Sequence, residues 1–302
     1  MNLADVLHDA VDGIDPADRI DAIRARTASA PARGGRPWFY AAGAVVLATA
    51  ATVAAFAVLD DSTRSSGPTH HDDQVTSVPT PGTQLVPAYF IGDTPRGPRL
   101  FREFDRVVGP DAVQAALDRI QRPPADHDYT TGWAPGSFGD ATVRDGRIDV
   151  ELSDGVDLSD RLAVQQAVYT LQGAAGQRLP VYFWLEGQRG NMGEVADPAV
   201  LSQVMINDPT EGLEVHDYFT ARGAANSYEA NVPWELRDDS GSVVRRGFAT
   251  TPGWGDRLYP WEARVDVRDL PFGSYTFVAM TDDPSGGEGG GPDADTRTII
   301  VR

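Results

Sequence analysis

The sequence predicts an α+β domain followed by an all-β sandwich, both preceded by a single transmembrane helix. Three features support this fold class. Residues 38–59 contain no charged side chain. Residues 84–188 mix helical and strand-like apolar patterns, whereas residues 204–302 show only short strands between turn signals. A chain of 302 residues has room for two domains of ordinary size.

The composition is strongly acidic and lacks cysteine. Forty-four Asp and Glu residues stand against 26 basic residues, all of them Arg, for a net charge of −18. A surface of this sign repels phosphate groups, which excludes nucleic acid as a partner and favours a protein or a neutral glycan. Without cysteine the chain has no disulfide framework, thiolate metal site, thiol nucleophile or lipid-modified cysteine anchor.

The apolar segment 38–59 predicts a helix that crosses the membrane. As a helix its 22 residues span about 33 Å, against roughly 30 Å for the hydrocarbon core of a bilayer. Four arginines lie within 24–36, and Asp60 and Asp61 follow the segment, which places the N-terminus in the cytoplasm. A signal peptide cleaved near residue 57 is the alternative, disfavoured by the long leader and the long apolar stretch.

The segments on either side of this helix are short. Residues 1–37 form a cytoplasmic segment with helical apolar spacing, either an adaptor for a partner or an amphipathic leader near the membrane. Residues 60–83 are rich in Ser, Thr, Pro, Gly and Asp, which predicts a disordered linker. His70 and His71 in this linker have metal-ligand chemistry, but a flexible chain does not fix ligand geometry, so we predict no metal site.

Residues 84–188 predict helices packed on one sheet. The expected elements are a strand at 85–91, a helix at 111–121, a hairpin at 141–152, a second helix after 159 and a strand at 180–185. Asp145-Gly146 is the hairpin turn, because both residue types accept a positive φ. Ser159 is expected to cap the second helix. The unbroken apolar run at 180–185 predicts a strand covered on both faces.

Residues 204–302 predict a β-sandwich of about seven short strands. The expected strands are an edge strand near 204 and strands at 215–224, 230–237, 242–250, 259–267, 274–281 and 297–301. Trp234 lies in the middle of a strand, where it can fill the space between two sheets. The run ending at Tyr275 resembles the approach to the tyrosine corner of immunoglobulin-like folds, so we expect an immunoglobulin-like sandwich.

Both folded regions resemble known bacterial domains. Residues 86–188 resemble the GerMN domain of sporulation and germination proteins, and residues 205–302 resemble the immunoglobulin-like domain of bacterial spore germination proteins. The first resemblance rests on Val86-Pro87-Ala88-Tyr89-Phe90 and on residues 100–104, 150–153, 167–171 and 185–187. The second rests on Gly253-Trp254-Gly255 and on residues 221–225, 229–236 and 295–299.

The resemblance implies an envelope protein without known catalysis. The GerMN domain is similar to ring-building modules that assemble extracellular complexes, which implies a role in assembly or ligand contact and is compatible with oligomerisation. Relatives anchored as lipoproteins carry a lipid-accepting cysteine. Because this chain has no cysteine, the helix at 38–59 must serve as its anchor.

No catalytic, cofactor or metal motif stands out in the sequence. Metalloprotease, nucleophile-elbow and phosphate-loop patterns are absent. His127 and His216 are the two histidines of the folded region. For both, a surface or hydrogen-bonded histidine is a better interpretation than the base of a catalytic triad. Asp149 and Glu151 have the strand spacing of a glycosidase pair, about 6.6–7 Å, but they alternate with apolar residues as on any solvated strand face.

The strongest candidate contact residues are aromatic. Trp254, Tyr259 and Trp261 cluster in a loop-rich stretch, where exposed rings can stack on sugars or anchor a protein. Because Trp254 belongs to the resemblance to the immunoglobulin-like domain, the alternative is that it packs an edge of the sandwich. The sequence therefore predicts a non-catalytic, single-pass membrane protein whose extracytoplasmic domains contact envelope proteins or a neutral cell-wall glycan. The alternatives are a transmembrane ligand sensor that signals to the cytoplasm and, less favoured, a cell-wall hydrolase.

Overall fold

The computed structural model describes residues 83–109, 111–190, 193–283, 288 and 290–302. The cytoplasmic segment, the predicted membrane helix at 38–59 and nearly all of the predicted linker lie outside these residues. Within the described ranges, no helix is both long and apolar enough to cross a membrane.

The described part of the first domain contains seven strands and two helices. They are β1 (Thr83–Gly92), β2 (Arg99–Val108), α1 (Ala112–Ile120), β3 (Tyr129–Thr130), β4 (Phe138–Arg144), β5 (Arg147–Leu152), α2 (Arg161–Ala175), β6 (Val181–Leu185) and β7 (Gln188–Arg189). One sheet has the order β2-β1-β3 and the other β4-β5-β6-β7. All pairs are antiparallel except β5 with β6.

The helices begin and end where short-range chemistry requires. Asp111 caps α1 by accepting from two backbone amides of the first turn. Asp160 caps α2 in the same way, so the expected cap at Ser159 is wrong; the Ser159 hydroxyl instead donates to Asp157. Gly176 ends α2 in a left-handed conformation with φ 64°. Both helices pack on β1, and α1 also contacts β4 of the other sheet, which corrects the expectation of helices on one sheet.

The strand at 180–185 is buried on one face, not on both. Val181 and Phe183 lie in the core, whereas Tyr182 and Trp184 are half-buried on the opposite face. Trp184 Nε1 donates to a carboxylate of the neighbouring strand, and Tyr182 lies under an arginine. The sequence pattern predicted a strand covered on both faces because its residues are all apolar or aromatic. Two of them are aromatic rings with polar partners, which are stable on a half-exposed face. The hairpin at Asp145-Gly146 is present, with φ 49° and 71°.

The second domain is a sandwich of two sheets. Its strands are β8 (Val204–Asp208), β9 (Leu213–Val215), β10 (Tyr218–Ala225), β11 (Asn231–Asp238), β12 (Val243–Thr250), β13 (Tyr259–Asp266), β14 (Gly273–Met280) and β15 (Ala294–Val301). The sheets have the orders β13-β10-β8 and β12-β11-β14-β15-β9. Strand β9, which the sequence pattern merged with β10, pairs parallel with the end of β15.

Two aromatic residues lie where an immunoglobulin-like sandwich requires them. Trp234 shares the inner face of β11 with Val232 and Leu236, and its ring centroid lies 6.0 Å from that of Phe277. The hydroxyl of Tyr275 donates to the carbonyl oxygen of a proline four residues earlier at 2.8 Å. This bond is a tyrosine corner, as the sequence predicted.

The two domains share an apolar junction. Tyr89 and Leu100 of the first domain pack with Met205 of the second, and Leu201 and Leu258 join the same cluster. Leu100 and Met205 are almost fully buried. The connecting segment also bonds to β2, because the backbone amide of residue 202 donates to the carbonyl oxygen of Leu100 at 3.0 Å.

A buried ionic cluster closes the junction beside these apolar residues. Arg297, whose side chain is 3% exposed, lies with Nη1 2.7 Å from Asp126 Oδ2, 2.9 Å from Tyr129 Oη and 2.9 Å from Asp295 Oδ1. The Tyr129 hydroxyl donates in turn to Asp295. Burial raises the pKa of Asp126 to about 6, against the opposing attraction of Arg297. One guanidinium thus forms ion pairs with two buried carboxylates, one from each domain.

Candidate functional site

Three loops meet at one end of the sandwich. They are residues 226–230 between β10 and β11, residues 251–258 between β12 and β13, and the described part of 281–293 between β14 and β15. Leu258, at the end of the second loop, belongs to the apolar junction with the first domain. This end of the sandwich therefore adjoins the first domain and is held against it.

Hydrogen bonds join the three loops into one surface. Each bond links a backbone amide of one loop to an oxygen of another, so the loops constrain each other. The bonds run from Thr251 N to Ala230 O at 2.9 Å, from Gly255 N to Asn226 Oδ1 at 2.6 Å and from Asp282 N to Ser227 Oγ at 2.7 Å.

Two exposed rings stand on this surface, and we call them the aromatic platform: Tyr228 and Trp254. Tyr228 is 41% exposed and Trp254 is 50% exposed. Their ring centroids lie 5.0 Å apart with an interplanar angle of 67°, an edge-to-face contact. Such a contact is worth about 0.5–1.5 kcal/mol beyond area burial, so each ring helps to orient the other.

Glycines on both sides of Trp254 explain its outward position. A Cβ atom at Gly253 would lie 2.7 Å from Tyr259 Cζ, so only glycine lets that ring lie against the backbone. Gly255 adopts φ 99°, a left-handed value that other residues rarely take. The hydroxyl of Tyr259 donates to Asp256 Oδ1 at 2.8 Å and holds the far side of the loop. Tyr259, which is half-buried, therefore supports the loop that carries Trp254.

The turn that carries Tyr228 is strained. Glu229 and Ala230 follow it with φ 51° and 59°, two successive left-handed residues that are not glycine. Each costs roughly 1–2 kcal/mol relative to ordinary backbone. The bond to Ala230 O from the neighbouring loop and the Ser227 hydroxyl, which donates to Asn231 O, hold this conformation. Strain of this kind concentrates at functional positions.

Trp261 is not part of this surface. Its side chain is 3% exposed and lies against Gly223, where a Cβ atom would be 2.6 Å from the indole and 1.9 Å from Met205 O. The three aromatic residues that the sequence grouped together thus divide into exposed Trp254, supporting Tyr259 and buried Trp261. Sequence reasoning missed Tyr228; an aromatic residue in the polar loop before β11 was the available signal.

Of the two carboxylates on β5, Asp149 forms structural ion pairs with arginines. Asp149 is 5% exposed, whereas Glu151 is exposed, so the expectation of two solvated carboxylates is wrong for Asp149. Asp149 accepts from Arg144 Nε at 2.5 Å, from Arg147 Nε at 3.0 Å and from an indole nitrogen. Burial raises the pKa of Asp149, but these hydrogen bonds outweigh it and hold the pKa below its ordinary value.

The two histidines in the described part of the chain lie at its surface. His127 and His216 are exposed, and His216 Nδ1 lies 3.0 Å from the carbonyl oxygen of Arg302. Within the residues that the structure describes, no group of three His, Asp or Glu side chains could hold a metal ion.

The comparisons with known proteins identify both domains. Residues 87–191 match the family model described as sporulation and spore germination, and residues 203–288 match the model of the immunoglobulin-like domain of bacterial spore germination. A search of curated proteins found no match.

Two solved structures are similar in part. The tandem GerMN domains of the sporulation protein GerM from Bacillus subtilis are 13% identical, with a TM-score of 0.33, over 43% of this chain and 49% of that one. The CBM51-2 and INT domains of ZmpB from Clostridium perfringens are 14% identical, with a TM-score of 0.22, over 51% of this chain and 29% of that one. The chain thus covers about half of the length of the first structure.

Proposed function

We propose that this chain, which carries a GerMN domain followed by the immunoglobulin-like domain of bacterial spore germination proteins, is a non-catalytic protein of the bacterial cell envelope. The segment 38–59 anchors it in the membrane, with residues 1–37 in the cytoplasm. Its two extracytoplasmic domains bind or assemble with envelope proteins or with a neutral cell-wall glycan.

The aromatic platform is the observation that supports a binding role. Tyr228 and Trp254 are large, half-exposed rings held in place by glycines, a strained turn and bonds between loops. Exposed aromatic residues are enriched at binding surfaces, where they contribute much of the affinity. Because these loops also adjoin the interdomain junction, both domains fix the position of the platform.

The state of Asp149 argues against the glycosidase pair that the spacing of β5 suggested. A glycosidase pair needs one carboxyl that stays protonated near neutral pH and a second one free to act. Asp149 meets neither requirement, because three donors occupy it and its pKa is lowered. Both family models describe domains of sporulation and germination proteins, not a family of enzymes.

Photo-cross-linking in living cells tests the proposal. A photoreactive amino acid replaces Trp254 in one strain and Phe272 in a matched strain; Phe272 is 82% exposed at the opposite end of the sandwich. We expect a defined adduct, protein or wall fragment, from position 254 and none of the same mass from position 272. Identical adduct patterns at both positions, or none at position 254, would contradict a binding role for this surface.

A further inference from the structure

We infer that the aromatic platform binds a neutral polysaccharide, whose sugar rings stack on Trp254 and Tyr228. This inference rests on the proposed function and names the partner of the same surface.

The size of the platform matches a short stretch of a sugar chain and is a small part of the area that a stable protein interface buries. A Trp or Tyr side chain offers about 150–250 Å² of contact area, so two half-exposed rings offer on the order of 200 Å². A stable protein interface buries about 800 Å² on each partner. Two or three sugar units match the smaller area, and their C–H faces pack on aromatic rings.

Polar side chains beside the two rings can bond to sugar hydroxyls. Glu229 follows Tyr228 and is exposed, and Asp256 lies two residues after Trp254 and is also exposed. The bond from the Tyr259 hydroxyl to Asp256 Oδ1 fixes that carboxylate and leaves its other oxygen as an acceptor. Hydroxyl groups donate well to carboxylates, and a small number of fixed polar groups around an apolar surface provides orientation and specificity.

The charge around the platform disfavours a polyanion. Glu229, Asp256 and Asp282 all belong to the three loops that form this surface. Arg257 in the loop 251–258 and Arg96, whose guanidinium lies 2.7 Å from a carboxylate of the loop 281–293, offset only part of this negative charge. The whole chain carries a net charge of −18. A phosphate-rich or uronic acid polymer would be repelled, whereas an uncharged polysaccharide would not.

The rigidity of the loops lowers the cost of binding. Glu229 and Ala230 already occupy left-handed conformations, and three hydrogen bonds join the loops that carry the rings. Binding therefore has few side chains and little backbone left to order. A strained conformation that is held in place without a ligand is typical of a pre-formed contact surface.

Retention of the full chain on immobilised polysaccharides tests this inference. The chain is purified in mild detergent and applied to chitin, cellulose, mannan and β-glucan, with wall teichoic acid as the polyanion. We expect at least one neutral polymer to retain the chain, and teichoic acid not to retain it. Trp254→Ala and Tyr228→Ala should each weaken that retention ten-fold or more, whereas Phe272→Ala, a matched exposed ring 82% exposed, should not.

A conservative variant separates stacking from structural damage. Trp254→Phe keeps a flat apolar ring, so it should retain binding within a few-fold while Trp254→Ala does not. Circular dichroism melting of each variant reports whether the fold is intact. Equal retention of Trp254→Ala and the native chain, no retention on any neutral polymer, or retention on teichoic acid would overturn the inference. If polysaccharide retention fails but a protein adduct still forms at position 254 in cells, the proposed binding role stands and the inferred polysaccharide partner falls. If no adduct forms there either, the proposed binding role falls as well.

Discussion

Replacing Arg297 by methionine should destabilise the protein more than any single surface change. The guanidinium is 3% exposed and donates to Asp126, Asp295, Tyr129 and the carbonyl oxygen of Ile206, at 2.7–2.9 Å. Methionine fills similar space but leaves two buried carboxylates without a cation. Removing one partner of a buried ion pair costs about 3–5 kcal/mol, a large part of a typical stability of about 5–15 kcal/mol.

Urea unfolding at two pH values measures this loss. Because burial raises the pKa of Asp126 to about 6 even beside Arg297, and raises that of Asp295 as well, the variant carboxylates should take up protons readily. Arg297→Met should therefore lower the free energy of unfolding more at pH 8 than at pH 5. The control is Arg268→Met, whose pair with Asp266 is exposed on both sides, so its loss should change the free energy of unfolding very little. A loss at position 297 no greater than at position 268 would refute this reasoning.

Three further substitutions test other parts of the structure. Asp126, whose pKa rises from 3.8 to about 6, contributes stability that is complete below pH 4 and is lost as the pH rises through 6. Asp126→Asn should remove most of a decline of about 3 kcal/mol in urea-unfolding free energy between pH 4 and pH 8; an unchanged pH profile would contradict this. Tyr275→Phe removes the bond to Pro271 O and should cost about 1 kcal/mol, so no change in urea midpoint would argue against a tyrosine corner. Gly223→Ala brings a Cβ atom within 2.6 Å of Trp261 and should cost about 3 kcal/mol with altered tryptophan fluorescence, whereas native stability would show that the contact is not tight.

Features determined by neighbouring residues could be predicted from the sequence. Asp145-Gly146 forms its hairpin because the turn depends on φ values that these two residue types accept. The tyrosine corner at Tyr275 depends on a bond spanning four residues, and it is also present. The cap of α2 moved by one residue, from Ser159 to Asp160, because both can cap a helix and only the backbone geometry decides.

Features determined by distant residues could not be predicted. Trp261 is buried because Gly223, on the neighbouring strand, leaves room for its indole, and no local pattern reports that contact. Tyr228 became part of the platform through its contact with Trp254, 26 positions away. Arg297 and Asp295 follow the alternation of an ordinary strand, and their burial depends on Asp126 and Tyr129 of the other domain.

Cysteine labelling in intact cells tests most directly whether the chain crosses the membrane, with its second domain on the outer side. The native chain has no cysteine, so single substitutions give an unambiguous signal. Phe272→Cys, at an 82% exposed position, should react with a membrane-impermeant maleimide in intact cells. Ser29→Cys, in the predicted cytoplasmic segment, should react only after permeabilisation, and both should sediment with membranes. Protection of position 272 in intact cells, or release of the chain from the membrane fraction, would contradict an anchored envelope protein.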